Sequence, residues 1–376
     1  MKKFLINPYS QQYVDLPPFS KGALEFHRSL PTYKPTPLHS PVNLAKSLGC
    51  NTIYIKDESN RLGLPAFKIL GASYATIRVL EEKFHIQYTN IEELKAKLQG
   101  IGDIWLITAT DGNHGRAVAH IAKILGLKAR IYVPKHTKEP RIQAIESEGA
   151  NVVVVDGNYD KAVEIASHQK GIIMQDTSYH GYEDIPKYIV EGYSTMLWEI
   201  EEQLSAKKLA YPNVVIVPIG VGSFISAVIQ FYKSTTKLHP IILGVEPEKA
   251  PCALEAIRQN KIITLKGSYE SIMAGLSCGK ISTISFPILK SGVDAFLLVS
   301  DKQAENAMRT LRTVNIVSGE SGAASFAGLN LLFSEEGREL REKFSINAFS
   351  NVLVFSTEGA TDLNMYKKIM QADNIE

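Results

Sequence analysis

Cysteine is scarce in this chain: three in 376 residues, at positions 50, 252 and 278. None sits in a CxxC or other metal-ligand spacing, so no metal is expected, and Cys50, Cys252 and Cys278 read as thiols buried in a reducing compartment. Whether Cys252 and Cys278 instead lie side by side near a site mouth, or pair, the sequence leaves open. Long apolar runs are missing too. The longest, such as Val214 to Val217, are strand-sized, far short of the ~20 residues that a membrane helix needs. The opening Met1 to Pro8 is basic, but its apolar run is too short for a signal peptide. Charge of one sign is absent as well: 41 Lys and Arg face 39 Asp and Glu, a net charge of +2. With no basic stripe and no acidic tail, neither nucleic acid nor a disordered acidic segment is expected. A soluble cytoplasmic protein with no membrane partner follows from these absences.

What is present is a chain long enough for two domains at ~150 residues each, with 45% hydrophobic residues to fill their cores. Near-continuous apolar runs at 52–55, 104–107, 130–133, 152–155, 214–217, 241–245 and 352–355 predict strands buried on both faces, as in parallel sheets. Helical spacing marks 117–125, 141–148, 161–168 and 305–314. Such alternation predicts an α/β protein with doubly wound open sheets. The polar stretch 84–99 reads as a surface insertion. Pro17-Pro18 and the prolines between 31 and 37 read as an irregular N-terminal arm that wraps the surface.

Ligands of such sheets bind beyond the carboxyl ends of the strands, and four segments there carry chemistry. Lys68 follows Phe67 in an apolar setting, where desolvation favours the neutral, nucleophilic amine. Thr110-Asp111-Gly112-Asn113-His114 lies between a strand and a helix, where backbone N–H groups suit an anion; an ordinary capped turn is the plainer alternative. Gly220-Val221-Gly222-Ser223-Phe224 has the glycines, hydroxyl and helix start that hold a phosphate, without the lysine of a P-loop. Ser356-Thr357 places two hydroxyls after the last strand, able to bond a ring nitrogen or to cap a helix. Asp176, after the strand-like Ile172 to Met174, is a candidate partner for an ammonium or a plain turn aspartate.

In this order the motifs resemble the fold-type II family of pyridoxal 5'-phosphate (PLP) enzymes, the tryptophan-synthase-β-like group that includes threonine deaminase and serine racemase. Pro35-Thr36-Pro37-Leu38 resembles its opening segment, Phe67-Lys68 its cofactor lysine, Asp111 to His114 its S-G-N-H loop, and Gly220 to Phe224 its phosphate loop. Ser356 stands where the family places the hydroxyl that meets the pyridine nitrogen. Three positions depart from the general pattern: Ala66 replaces serine, Leu70 replaces an arginine, and Asp111 stands where serine racemase has a serine. With segments 61–68, 176–179, 191–193, 246–250, 274–279 and 318–323, these departures look like the diaminopropionate ammonia-lyase branch.

The resemblance implies two α/β domains with PLP in the cleft, a smaller mobile domain from 84 to 186, a larger one from 1–83 and 187–376, and a homodimer. It implies that Lys68 holds PLP as a Schiff base and that Phe67, Asn113, Gly220, Val221, Gly222, Ser223, Phe224, Ser356 and Thr357 bind the cofactor. Thr110, Gly112, His114 and Asp176 would face the substrate, with His114 a loop scaffold rather than a base. Tyr159-Asp160 reads as structural. The implied reaction converts 2,3-diaminopropionate, in both D and L forms, to pyruvate and two ammonia. Asp111 would take the Cα proton opposite Lys68 and favour a β-ammonium. A serine or threonine dehydratase, a β-replacement enzyme and a non-catalytic α/β binding module are the competing expectations.

Overall fold

The apolar runs do form strands. The computed structural model describes residues 2–110, 112–234 and 239–372, with the side chain of Asp160 outside that set. In chain order the strands among the described residues are β1 (Phe4–Ile6), β2 (Leu38–His39), β3 (Thr52–Asp57), β4 (Trp105–Ala109), β5 (Lys128–Pro134), β6 (Asn151–Val155), β7 (Ile172–Ile173), β8 (Val214–Pro218), β9 (Ile241–Pro247), β10 (Ala295–Val299) and β11 (Asn351–Ser356). They belong to two compact units. One takes Met1–Ser20, Pro35–Asn60 and Met196–Glu376, the other Lys21–Lys34 and Arg61–Thr195.

The first unit is built on a seven-stranded sheet in the order β1-β10-β9-β8-β11-β3-β2. Its five central strands are parallel, and short antiparallel strands close both edges. The central strands β8 and β10 are buried throughout, as a parallel sheet covered on both faces requires. The apolar helix Ala324–Phe333 lies close on this sheet: a methyl group added at Gly328 would sit 2.5 Å from Val245 Cγ2.

The second unit holds a four-stranded parallel sheet in the order β6-β5-β4-β7. The sheet lies within 84–186, the span expected for a smaller domain. The compact unit around it is larger, because the helix Lys68–Phe84 packs on the helix Asn113–Leu125, and the helix Gly22–Ser29 packs on Lys68–Phe84.

Three sequence expectations need correction. Residues 84–99 are not a plain surface insertion: Ile91–Gln99 is a helix, started by Asn90 accepting from Glu93 N, with Ile91, Leu94 and Leu98 buried. The N-terminal arm is not irregular throughout, since Phe4–Ile6 pairs with β10 and Gly22–Ser29 is helical. β6 is not buried on both faces: it is an edge strand, and Val154 is 52% exposed. One strand was not expected at all: β10, Ala-Phe-Leu-Leu-Val, which lies between β1 and β9. No helix among the described residues is long and apolar enough to cross a membrane.

Candidate active site

Lys68 is the first residue of a helix, delivered by a tight hairpin. Arg61 N donates to Leu64 O at 2.8 Å and Leu64 N to Arg61 O at 2.9 Å. The two residues between them, Leu62 and Gly63, have φ of 52° and 82°, the left-handed pair of a type I′ turn. The helix beginning at Asp184 then approaches the Lys68 helix very closely. A methyl group at Gly192 would lie 2.5 Å from Leu70 O, and one at Gly71 2.7 Å from Ile189 Cγ2 and Tyr193 Cε1. The two glycines thus bring Tyr193 beside Phe67, ring centroids 4.8 Å apart.

Lys68 Nζ meets Asp176 Oδ2 at 2.9 Å. Asp176 follows β7 and is held by Gln175, which spans the sheet end. Gln175 Oε1 accepts from Thr108 Oγ1 at 3.0 Å and Ala109 N at 3.1 Å, while its Nε2 donates to Tyr159 Oη at 2.7 Å. Tyr159, read from the sequence as structural, thus reaches the site only through Gln175. His114 Nε2 donates to Met174 O at 2.6 Å, and its Nδ1 faces Asp176 Oδ2 at 3.9 Å. Thr110 Oγ1 accepts from Gly112 N at 3.0 Å and Gly115 N at 3.2 Å, closing the turn that starts the helix at Asn113. β7 lies on one side of β4 while the chain leaves β4 for β5 on the other, so these residues occupy a topological switch point.

The electrostatics follow from burial and partners. Burial opposes the charge on Asp176, but the Lys68 ammonium and then His114 outweigh it and hold the carboxyl well below its ordinary range. Burial pushes the Tyr193 phenol up to about 12, against the nearby Lys68 cation. Lys68 is therefore not a lone amine in apolar surroundings, as its sequence context implied. It has a buried carboxylate as counter-charge.

The first unit repeats this arrangement at its own switch point. β8 and β11 are neighbours, and the chain leaves β8 toward β9 on the other side. After β8 come Ile219, Gly220, Val221 and Gly222, then a helix starting at Ser223. Gly222 has φ of 100°. A methyl group there would lie 2.7 Å from Ser285 Cβ, and one at Gly220 3.0 Å from Gly275 O and 3.3 Å from Cys278 Sγ. Side chains do not fit, so backbone lines the turn at a helix N-terminus, which suits a phosphate. Phe224 packs edge-on against Phe355, centroids 5.0 Å apart, joining this turn to the end of β11. There Ser356 is buried, its Oγ 2.9 Å from Ser318 Oγ, and Thr357 is buried beside it.

The structure thus brings together Lys68, Thr110, Gly112, Asn113, His114 and Asp176 in one unit, and Gly220 to Phe224 with Ser356 and Thr357 in the other. Asp111 lies outside the described residues. Cys252 and Cys278 form no disulfide and both flank Gly220, Cys252 Sγ donating to Gly220 O at 3.7 Å; Cys252 is buried, whereas Cys278, expected to be buried too, is half-buried. Burial drives the Cys252 thiol up, and the nearby Glu246 carboxyl, itself raised to about 8 by burial, adds to it. Sequence reasoning missed Gln175, and it marked Tyr193 and Ser318 only as members of the segments 191–193 and 318–323, without a role. For the placement of Tyr193 the signal was the glycine before it inside a helical pattern.

A family model for "Pyridoxal-phosphate dependent enzyme" matches residues 30–355. The diaminopropionate ammonia-lyase of Salmonella typhimurium is 37% identical over 368 residues, 92% of this chain and 90% of that protein. The crystal structure of the Escherichia coli diaminopropionate ammonia-lyase with an aminoacrylate-PLP azomethine reaction intermediate superposes with a TM-score of 0.89 at 33% identity, covering 98% of this chain and 97% of that one. The same Escherichia coli enzyme in complex with D-serine gives 0.90 at 34% identity, over 98% and 97% of the two chains.

Proposed function

The chain belongs to the pyridoxal-phosphate-dependent enzyme family, and from that premise we propose that it is a lyase converting 2,3-diaminopropionate and water to pyruvate and two ammonia. The observation that carries this substrate class is Asp176, a buried carboxylate that already pairs with the ammonium of Lys68 at 2.9 Å. A substrate with a second ammonium matches such a group, whereas serine or threonine would bring only a hydroxyl to it.

Bound PLP supplies an aldehyde for amines to condense with and a conjugated ring that takes up the electron pair left at Cα. The glycine turn fits its phosphate, because methyl groups at 220 and 222 would collide with their surroundings. In this reading Lys68 would be the amine that holds PLP, Gly220 to Phe224 would hold its phosphate, Asn113 would serve its phenolic oxygen, and Ser356 or Thr357 its ring nitrogen. Lys68 Nζ removes the Cα proton of one enantiomer, and the Asp111 carboxylate that of the other. Asp176 holds the β-ammonium. His114, tied to Met174 O, fixes the turn and leaves proton transfer to other groups. The segment 84–186 is the part that closes over substrate, and the protein acts in the cytoplasm as a homodimer.

Two measurements test this. Borohydride reduction of the PLP-loaded protein should fix the cofactor mass to the peptide carrying Lys68, and Lys68→Ala should abolish the label. Pyruvate release should then be followed with D- and L-diaminopropionate, D- and L-serine and L-threonine. Both diaminopropionates should be turned over. Serine or threonine turnover exceeding both would move the protein to the dehydratases, and an unlabelled Lys68 would remove the PLP chemistry altogether.

A further inference from the structure

Ser285 carries a hydroxyl that the fold itself does not use. The residue is buried, at 0% exposure, and its Oγ makes no hydrogen bond among the described residues. A hydroxyl in that position has given up its bonds to water and gained none in return, which native structures rarely tolerate without a reason. Its place is beside the glycine turn after β8. Ser285 Oγ stands 3.1 Å from the point that a methyl group on Gly222 would occupy, and Ser285 Cβ 2.7 Å from it. Backbone bonds pin the segment there. Ser282 N donates to Val221 O at 2.9 Å, and Ser285 N and Phe286 N both donate to Ser282 O at 3.1 Å.

Ser285 also opens a helix, Ser285–Gly292, as Ser223 opens Ser223–Lys233. The two segments touch at Gly222 and Ser285. They touch again seven positions later in both, where a methyl group at Gly292 would come within 2.2 Å of Ile229 Cγ2. Equal steps along each mean that the helices run parallel, so their N-termini lie side by side at the turn. Each N-terminus carries about half a positive charge. Two such ends set together repel one another, and an anion in front of both relieves that repulsion while it binds. We propose that the phosphate of PLP is held by both helix starts, with the Ser285 hydroxyl donating to one of its oxygens. This rests on the assignment of the phosphate to the turn at Gly220. A phosphate oxygen is a charged acceptor, so the bond is of the stronger kind, and Ser285 is a ligand of the cofactor and not a support of the fold.

The test is the affinity of the apoprotein for PLP and for pyridoxal, which lacks the phosphate, measured by equilibrium dialysis. Ser285→Ala should weaken PLP binding about tenfold or more, the worth of a hydrogen bond to a charged group, and leave pyridoxal binding unchanged. Its urea midpoint without PLP should be no lower than the parent's, because no bond within the fold is lost. A lower midpoint would give the hydroxyl a partner inside the fold and overturn the inference. Unchanged PLP affinity, or a loss shared equally by pyridoxal, would overturn it too. Gly220→Ala then decides the turn separately. If it weakens PLP and spares pyridoxal, the turn keeps the phosphate and Ser285 alone drops out; an equal effect on both removes the phosphate from the turn as well.

Discussion

Lys68 Nζ and Asp176 Oδ2 meet in a place where neither charge is well solvated, their side chains 21% and 10% exposed. Because the folded protein holds the Asp176 carboxyl below its unfolded value, the stabilisation it gives is complete above the ordinary carboxylate range, about pH 4, and is lost as the pH falls below it. Asp176→Asn should therefore differ from the parent protein in urea midpoint near neutral pH, and the difference should shrink on acidification. An unchanging difference would show that the pair is not what is lost. The same variant should raise KM for diaminopropionate about 30-fold or more, from ~2–5 kcal/mol for truncating a buried charged partner, with a smaller change for serine. The sequence did mark Lys68, Asp176, Gly220, Gly222 and Ser356 as residues near a site, because each follows a strand or opens a helix. It did not foresee that Lys68 and Asp176 pair, since 108 positions separate them and no local pattern records that distance. Gln175 escaped, and the contact of Ser318 with Ser356 was not foreseen, for the same reason: their partners come from strands or turns remote in the chain.

At the level of elements, the helix pair in the second unit is set by two glycines. Alanine at Gly192 would gain about 1 kcal/mol of helix propensity. Its methyl group would also stand 2.5 Å from Leu70 O and 2.9 Å from Gly71 Cα, backbone atoms that do not swing aside, and such overpacking costs about 1–3 kcal/mol. The clash should prevail, so Gly192→Ala should lower the urea midpoint and weaken PLP binding, because Tyr193 and Phe67 are displaced together. A variant as stable as the parent would mean that the helices can separate without consequence. Elements were legible where β-branched residues made the run unambiguous, as in β3, β5, β6 and β8. β10 was not, because Ala, Phe and Leu dominate it and serve helices as well as strands; pairing with β9 and β1 decides the matter. β1 escaped because three residues carry almost no periodicity, and only the partner edge gives them a conformation.

Across the whole molecule, one rule accounts for where the chemistry lies. In each sheet the chain sets out from one strand in one direction and returns on its other side, and the candidate residues gather at the carboxyl ends of that divide. The alternation of strands and helices was enough to predict the doubly wound class from sequence. The extent of the second unit was not, because it is settled by helix contacts such as Lys68–Phe84 on Asn113–Leu125. Assembly belongs to this scale as well: light scattering should return twice the mass of the chain, and a mass of one chain at micromolar concentration would retire the homodimer.

The glycine turn after β8 has a final consequence. Its fittings are peptide dipoles, which carry no titrating proton, so any change in its hold on an anion between mild acid and mild alkali should come from the phosphate's own ionisation and from the Glu246 carboxyl, raised to about 8, behind Cys252 and Gly220. A dependence of turnover on acidity near pH 8 that Glu246→Gln removes would originate beside the anchor, and one that it leaves in place would originate in the amine, carboxylate and phenol gathered in the other unit.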